Sequence, residues 1–247
     1  MKQLPAIKGK TLIILILSLL LASTACICAV YLLDFYKAND QAIAEFKIAQ
    51  DIKEYQLKKG VMIFEPQNAT SGMIFYPGGK VEYTAYIPLM RACAERGILC
   101  ILVKMPFNLA VLNINAADGF LEKYPEIESW YIGGHSLGGA MAASYLDKNA
   151  TNFDGIIFLG AYSTVDISDE KIEALSVYGS EDGVMDREKY EQSRENLPSN
   201  FEERIIEGGS HAYFGMYGHQ DGDGTPSITN EEQILFTANI VYEFIRE

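Results

Sequence analysis

The chain has 247 residues, a formal net charge of −13 and four cysteines. Its only charges before residue 34 are Lys2, Lys8 and Lys10, so the remainder carries −16, which excludes nucleic acid and anionic membrane surfaces as partners. Cys26 and Cys28 fall in an apolar stretch, leaving Cys93 and Cys100 for the folded part: no disulfide framework, no Cys/His metal spacing, and no metal or other cofactor to expect.

Residues 1–10 hold the three lysines, and residues 11–33 are unbroken apolar. That is enough for a helix to span a bilayer, which takes about 20 residues. A cleaved signal peptide is the rival reading, but its apolar region is shorter, about 7–15 residues. Here the run continues past the small residues Ala22-Ser23-Thr24-Ala25 to Leu33. A lipid anchor on Cys26 is a third reading, with Ser23 standing where a lipobox has leucine. The reading adopted is an uncleaved transmembrane signal-anchor. The lysine excess puts residues 1–10 in the cytoplasm and the folded domain outside, at the cell membrane.

Residues 34–59 are polar with scattered apolar side chains. Ile48, Ile52 and Tyr55 fit a helical period, which predicts a helical stalk. Residues 60–247 then alternate strands and helices. Val61 to Phe64 and Met73 to Tyr76 read as strands, the second ending at Pro77-Gly78-Gly79-Lys80. Tyr83 to Arg96 reads as a helix stopped by Gly97, and Ile98 to Val103 as a strand buried on both faces. Ala110 to Lys123 reads as roughly helical. Trp130-Tyr131-Ile132 leads into Gly133-Gly134-His135-Ser136-Leu137-Gly138-Gly139, followed by helix formers. Gly155 to Leu159, Leu175 to Tyr178 and Glu203 to Ile206 complete the strands, and Asp186 to Leu197 reads as a helix. Thr229-x-x-Glu232 is a capping box that opens a last helix to about Ile245. The alternation predicts an α/β fold, a mainly parallel sheet with helices on both faces.

Gly134-x-Ser136-x-Gly138, between a strand and a helix, has the pattern of a nucleophile elbow. The turn is so tight that side chains at the flanking positions collide with neighbouring backbone, and glycine removes the collision. A serine hydroxyl is a weak nucleophile at neutral pH and needs a base, which needs an orienting acid. In an open parallel sheet these groups belong at the C-terminal ends of strands. Asp182 follows the Leu175–Tyr178 strand directly, whereas Asp154, Asp166, Asp169 and Asp186 follow a strand less closely. His211 comes just after the last strand. His135 neighbours the nucleophile and points away from it, and His219 lies deep in a loop. Ser136, Asp182 and His211 are therefore the candidate triad. The oxyanion needs waiting N–H donors: Leu137 is one, and either Gly79 or Lys80 the other. Asp221-Gly222-Asp223 puts two carboxylates in one turn, which does not amount to a calcium loop. Gln220, Asp221 and Asp223 are placed to orient the histidine loop by hydrogen bonds.

The run from Val61 onward resembles the α/β-hydrolase superfamily, and within it a bacterial single-domain, capless family. The motifs are Tyr-Pro-Gly-Gly-Lys-Val at Tyr76–Val81, Met-Pro-x-Asn-Leu-Ala at Met105–Ala110, the elbow at Gly133–Ala140, and the histidine loop His211–Gly224. The resemblance implies an esterase-like hydrolase with Ser136, Asp182 and His211 as triad. Only Tyr162 to Lys171 separates two successive strands where many such proteins insert a lid. Ser136 is therefore expected in an open, shallow cleft bordered by the Lys80 loop, the Asn108 region and the His211 loop. Such a cleft suits a small-molecule ester with a short acyl chain. Acyl transfer and thioester or amide cleavage share the same site, and a non-catalytic binding protein of this fold is the alternative from another class.

Overall fold

The computed structural model describes residues 9–48 and 52–246; Lys2 and Lys8 lie outside the described residues. The chain forms two compact units, one up to Phe35 and one from Tyr36 on. In the first, Gly9–Leu33 form helix α1, with no buried residue, long and apolar enough to cross a membrane.

The second unit holds an eight-stranded sheet. Its strands are β1 (Lys53–Lys58), β2 (Val61–Glu65), β3 (Ser71–Tyr76), β4 (Ile98–Val103), β5 (Ser129–His135), β6 (Gly155–Leu159), β7 (Glu173–Gly179) and β8 (Glu202–Ile206). Their order across the sheet is β1-β2-β4-β3-β5-β6-β7-β8. β1 and β2 run antiparallel at one edge, and the six others are parallel. The chain leaves β3 toward β4 and returns to β5 on the other side of β3. That reversal opens a crevice beyond the strand C-termini, between the loops after β3 and β5.

Strand alternation divides the core into two layers. Phe64, Met73, Phe75 and Cys100 point to one face, covered by α3 (Ile87–Glu95) and α6 (Asn230–Arg246). Ile63, Ile74, Tyr76 and Ile132 point to the other, covered by α4 (Leu137–Leu146) and the 106–123 segment. Glu232 closes the capping box at the start of α6, its carboxylate accepting from Thr229 N–H (2.7 Å). A shorter helix, α5 (Arg187–Ser193), follows β7 and is capped by Asp186. Cys93 on α3 and Cys100 on β4 are free, buried thiols. Burial first, and the neighbouring Cys93 thiol second, push the Cys100 thiol well above its ordinary value.

Two stretches depart from the sequence reading. The helical period over Ile48, Ile52 and Tyr55 is not realised. Asn39 caps a six-residue helix α2 (Asp40–Glu45), and Tyr55 sits in β1, opposite Ile63. Pairing with β2 satisfies this backbone, and the lysines at both ends of β1 suit an edge strand. Ala110 to Lys123 is not an α-helix but three short 3₁₀ turns, Ala110–Leu112, Ile114–Ala117 and Leu121–Lys123. Asn113, Asn115 and Gly119 weaken a helix here. The buried Tyr76 hydroxyl supplies other partners, donating to Ile114 C=O (2.6 Å) and accepting from Ala117 N–H (3.0 Å).

Candidate active site

β5 ends at His135, and Ser136 turns the chain into α4 with φ 51° and ψ −123°. This left-handed backbone is costly for a residue with a side chain and is kept where the surroundings over-determine it. Here Ser136 N–H donates to Leu159 C=O (3.0 Å), tying the apex to the end of β6. A Cβ at Gly138 would run into the Tyr76 and Pro77 carbonyl oxygens, so α4 packs this closely on β3 only without one.

Asp182 follows β7 and His211 follows β8, and the two side chains meet. His211 Nδ1 and Asp182 Oδ2 are 2.8 Å apart and both side chains are buried. Asp182 Oδ1 accepts from Val184 N–H (3.0 Å) and Met185 N–H (2.8 Å), so the whole carboxylate is held. His211 Nε2 is buried and free of protein partners among the described residues. Ser136 and His211 line one cleft of about 310 Å³, walled by Leu137, Tyr162, Thr164, Val184 and Asp186, among others.

The weaker candidates lie elsewhere. Asp154 accepts from Trp130 N–H (2.8 Å) at the opposite edge of the sheet. Asp166 binds Ser168, Asp186 caps α5, and Asp169 and His219 are exposed. Asp221-Gly222-Asp223 forms no calcium loop: Asp223 Oδ1 accepts from Gly183 (3.2 Å), His211 (3.1 Å) and Gly224 (2.9 Å), and Oδ2 from Ala212 (2.8 Å), all backbone N–H. This one carboxylate joins the acid loop to the histidine loop. Among the described residues no cluster of three metal-ligating side chains occurs.

The oxyanion candidates separate. Lys80 N–H donates to Asn108 C=O (2.8 Å), which takes it out of contention. Gly79 N–H and Leu137 N–H have no protein acceptor among the described residues, and Leu137 opens a helix, where N–H groups are unpaired by construction. Lys80 and Asn108 do not line the cleft, contrary to the sequence reading, whereas His211 lines it as expected. The gap opens on the other side of Ser136, between the loops after β6 and β7.

Three supporting residues escaped the sequence reading. Gly160 has φ 52°, and a Cβ there would lie 2.9 Å from His211 Nδ1 and 3.1 Å from Asp182 Oδ2, inside the pair. Gln233 on α6, wholly buried, accepts from Ser210 N–H (2.9 Å) and donates to Ser210 C=O (2.8 Å), fixing the residue before His211. The Tyr86 hydroxyl accepts from Gly78 N–H (3.1 Å) and lies 2.7 Å from His135 Nδ1. Burial holds that phenol well above its ordinary value, so it stays a donor. His135, read as packing beside the elbow, packs against His211 with the two rings tilted. Glycine after a strand and glutamine on an amphipathic helix carry no distinctive sequence signal.

A model of the alpha/beta hydrolase family matches residues 72–235 of the chain. No protein of curated function matches its sequence. Among solved structures, the dienelactone hydrolase of Anabaena variabilis superposes with a TM-score of 0.60 at 14% identity, over 80% of this chain and 98% of its own. Carboxylesterase CesB of Bacillus subtilis gives 0.57 at 10% identity, over 83% and 95%. Est1E of Butyrivibrio proteoclasticus gives 0.54 at 13%, over 80% and 100%. At these identities the likeness is one of fold.

Proposed function

The chain belongs to the alpha/beta hydrolase family, and on that premise we infer that it is a serine hydrolase that cleaves short-chain carboxylic esters. The observation that carries this reading is the buried His211–Asp182 pair, 2.8 Å apart, facing the same cleft as a serine at the apex of a strained elbow.

In this mechanism Ser136 Oγ attacks the ester carbonyl and passes its proton to His211 Nε2. Asp182 accepts from Nδ1–H, which leaves Nε2 unprotonated and ready as base, and then stabilises the imidazolium. The N–H groups of Leu137 and Gly79 receive the oxyanion. Collapse of the tetrahedral intermediate expels the alcohol, which takes the proton from Nε2, and leaves an acyl-enzyme. Water, deprotonated by the same imidazole, attacks the acyl-enzyme and releases the acid. No step calls for a metal or other cofactor.

Helix α1 supports a single-span anchor, with residues 1–10 in the cytoplasm and the hydrolase unit outside at the cell membrane. Protease added to intact cells should digest the hydrolase unit; complete protection would reverse the orientation. The hydrolase reading is tested with a fluorophosphonate probe. The full chain should be labelled and Ser136→Ala should not. An unlabelled parent chain would favour a binding protein of hydrolase fold.

A further inference from the structure

Tyr36 to Asn39 lies outside the residues that match the family, yet it is bonded to both loops that the mechanism needs. On one side Tyr36 N–H donates to Lys80 C=O (2.7 Å), and Glu82 N–H donates to Tyr36 C=O (2.9 Å). Ala38 N–H donates to the Glu82 carboxylate (3.1 Å). Together these make a parallel bridge between Tyr36 and Val81, in the loop that carries Gly79. On the other side Asn39 N–H donates to Met216 C=O (2.8 Å), and Asp221 N–H donates to the Tyr36 hydroxyl (3.2 Å). Met216 and Asp221 belong to the loop that begins at His211.

The rings continue the connection inward. Tyr36 lies 5.7 Å from Tyr217, centroid to centroid, and Tyr217 lies 6.5 Å from Tyr86. Tyr86 bonds both Gly78 and His135. A segment that follows an apolar helix at a distance of three residues is ordinarily a tether. Here it is woven across the catalytic edge of the sheet.

We propose that Tyr36 is a positioning residue, and that Tyr36–Asn39 straps the oxyanion loop and the histidine loop into one frame. The Gly79 amide and the His211 imidazole then keep a fixed separation. The assignment of roles to these loops rests on the serine-hydrolase reading; the strap itself is testable without it. None of the four residues lines the cleft, so losing the strap changes geometry and not substrate contacts. Displacing a reacting group by about 1 Å costs on the order of 10²-fold in rate.

The test uses the full chain in detergent micelles, as Tyr36→Ala and Tyr36→Phe. Tyr36→Ala should lower kcat on p-nitrophenyl acetate roughly 10- to 100-fold, with KM changed by less than about twofold. It should also speed amide exchange in both 78–82 and 212–221 by more than in the central strands of the sheet, whose exchange reports the packing lost with the ring. Both variants keep the main-chain bonds; Tyr36→Phe also keeps the ring, loses only the hydroxyl to which Asp221 N–H donates, and should restore kcat to within about threefold of the parent. Exchange that is unchanged in both loops, or a Tyr36→Ala chain as active as the parent, overturns the strap. A parent chain without esterase activity counts against the hydrolase reading instead, and the exchange rates then decide the strap alone.

Discussion

The imidazoles of His135 and His211 lie 4.4 Å apart, centroid to centroid, with their planes tilted by 49°. Two cations cannot share that space. Burial first, and the His211 ring second, hold the His135 imidazole well below its ordinary value of 6.5. His135 therefore stays neutral beside His211, with its Nδ1 2.7 Å from the Tyr86 hydroxyl.

This depression links stability to pH. Below about pH 6.5 an unfolded chain protonates His135 while the folded chain does not. The unfolded state then binds more protons, so the contribution is complete above pH 6.5 and is lost as pH falls below it. Thermal melting from pH 8 to pH 5 should show a decline that His135→Asn flattens. Parallel curves for parent and variant would show that His135 titrates normally.

Asp182→Asn separates orientation from loop structure. The amide oxygen still accepts from Val184 and Met185, so the loop stays in place. Its NH₂ group faces His211 Nδ1, which must then accept, and the ring proton moves to Nε2. A protonated Nε2 cannot act as base. The expected loss is about 10³–10⁴-fold in kcat with little change in KM. Steady-state kinetics on p-nitrophenyl acetate measures both.

Asp223→Ala removes an acceptor from four backbone N–H groups at once, on residues 183, 211, 212 and 224. Hydrogen bonds to a charged group contribute about 1.5–3 kcal/mol each, and groups this close share that energy without adding it. A destabilisation of about 2–4 kcal/mol is expected in urea melts, together with a fall in kcat as His211 loses its backbone anchor. A change of under about 0.5 kcal/mol would mean that water replaces the carboxylate at no cost.

On the ester-hydrolase reading, the cleft limits the acyl chain. At about 310 Å³ it is at the small end for a ligand site. Each methylene that it covers adds about 0.8 kcal/mol, and each one left in water adds almost nothing. Turnover of p-nitrophenyl esters should peak at about two to four acyl carbons and then fall, without activation at lipid droplets. Rates that climb steadily to palmitate would require a deep acyl tunnel.

Much of this was legible before any coordinates. Ile98–Val103 announces a central strand because both its faces are buried and every residue is apolar. Gly134-x-Ser136-x-Gly138 announces the elbow because a collision dictates its glycines. Ser136, Asp182 and His211 could be picked out as candidates because strand ends in a parallel sheet are where loops converge, and Asp182 and His211 do meet there. The misread parts depend on partners distant in sequence. Tyr55 is a strand residue because β2 lies beside it, and Ala110–Lys123 is not an α-helix because Tyr76 offers a hydroxyl. The Lys80 amide is spent on Asn108, a bond between two loops that no local pattern encodes.

Asp186, on the cleft wall, belongs to a chain whose acidic residues exceed its basic ones by a wide margin. A neutral ester enters without feeling that field. On the ester-hydrolase reading, hydrolysis would then create a carboxylate inside it, and like charge would drive the acid product out. Inhibition by the acid product should accordingly be weak in dilute buffer and should grow as salt shortens the range of the repulsion to about 10 Å or less.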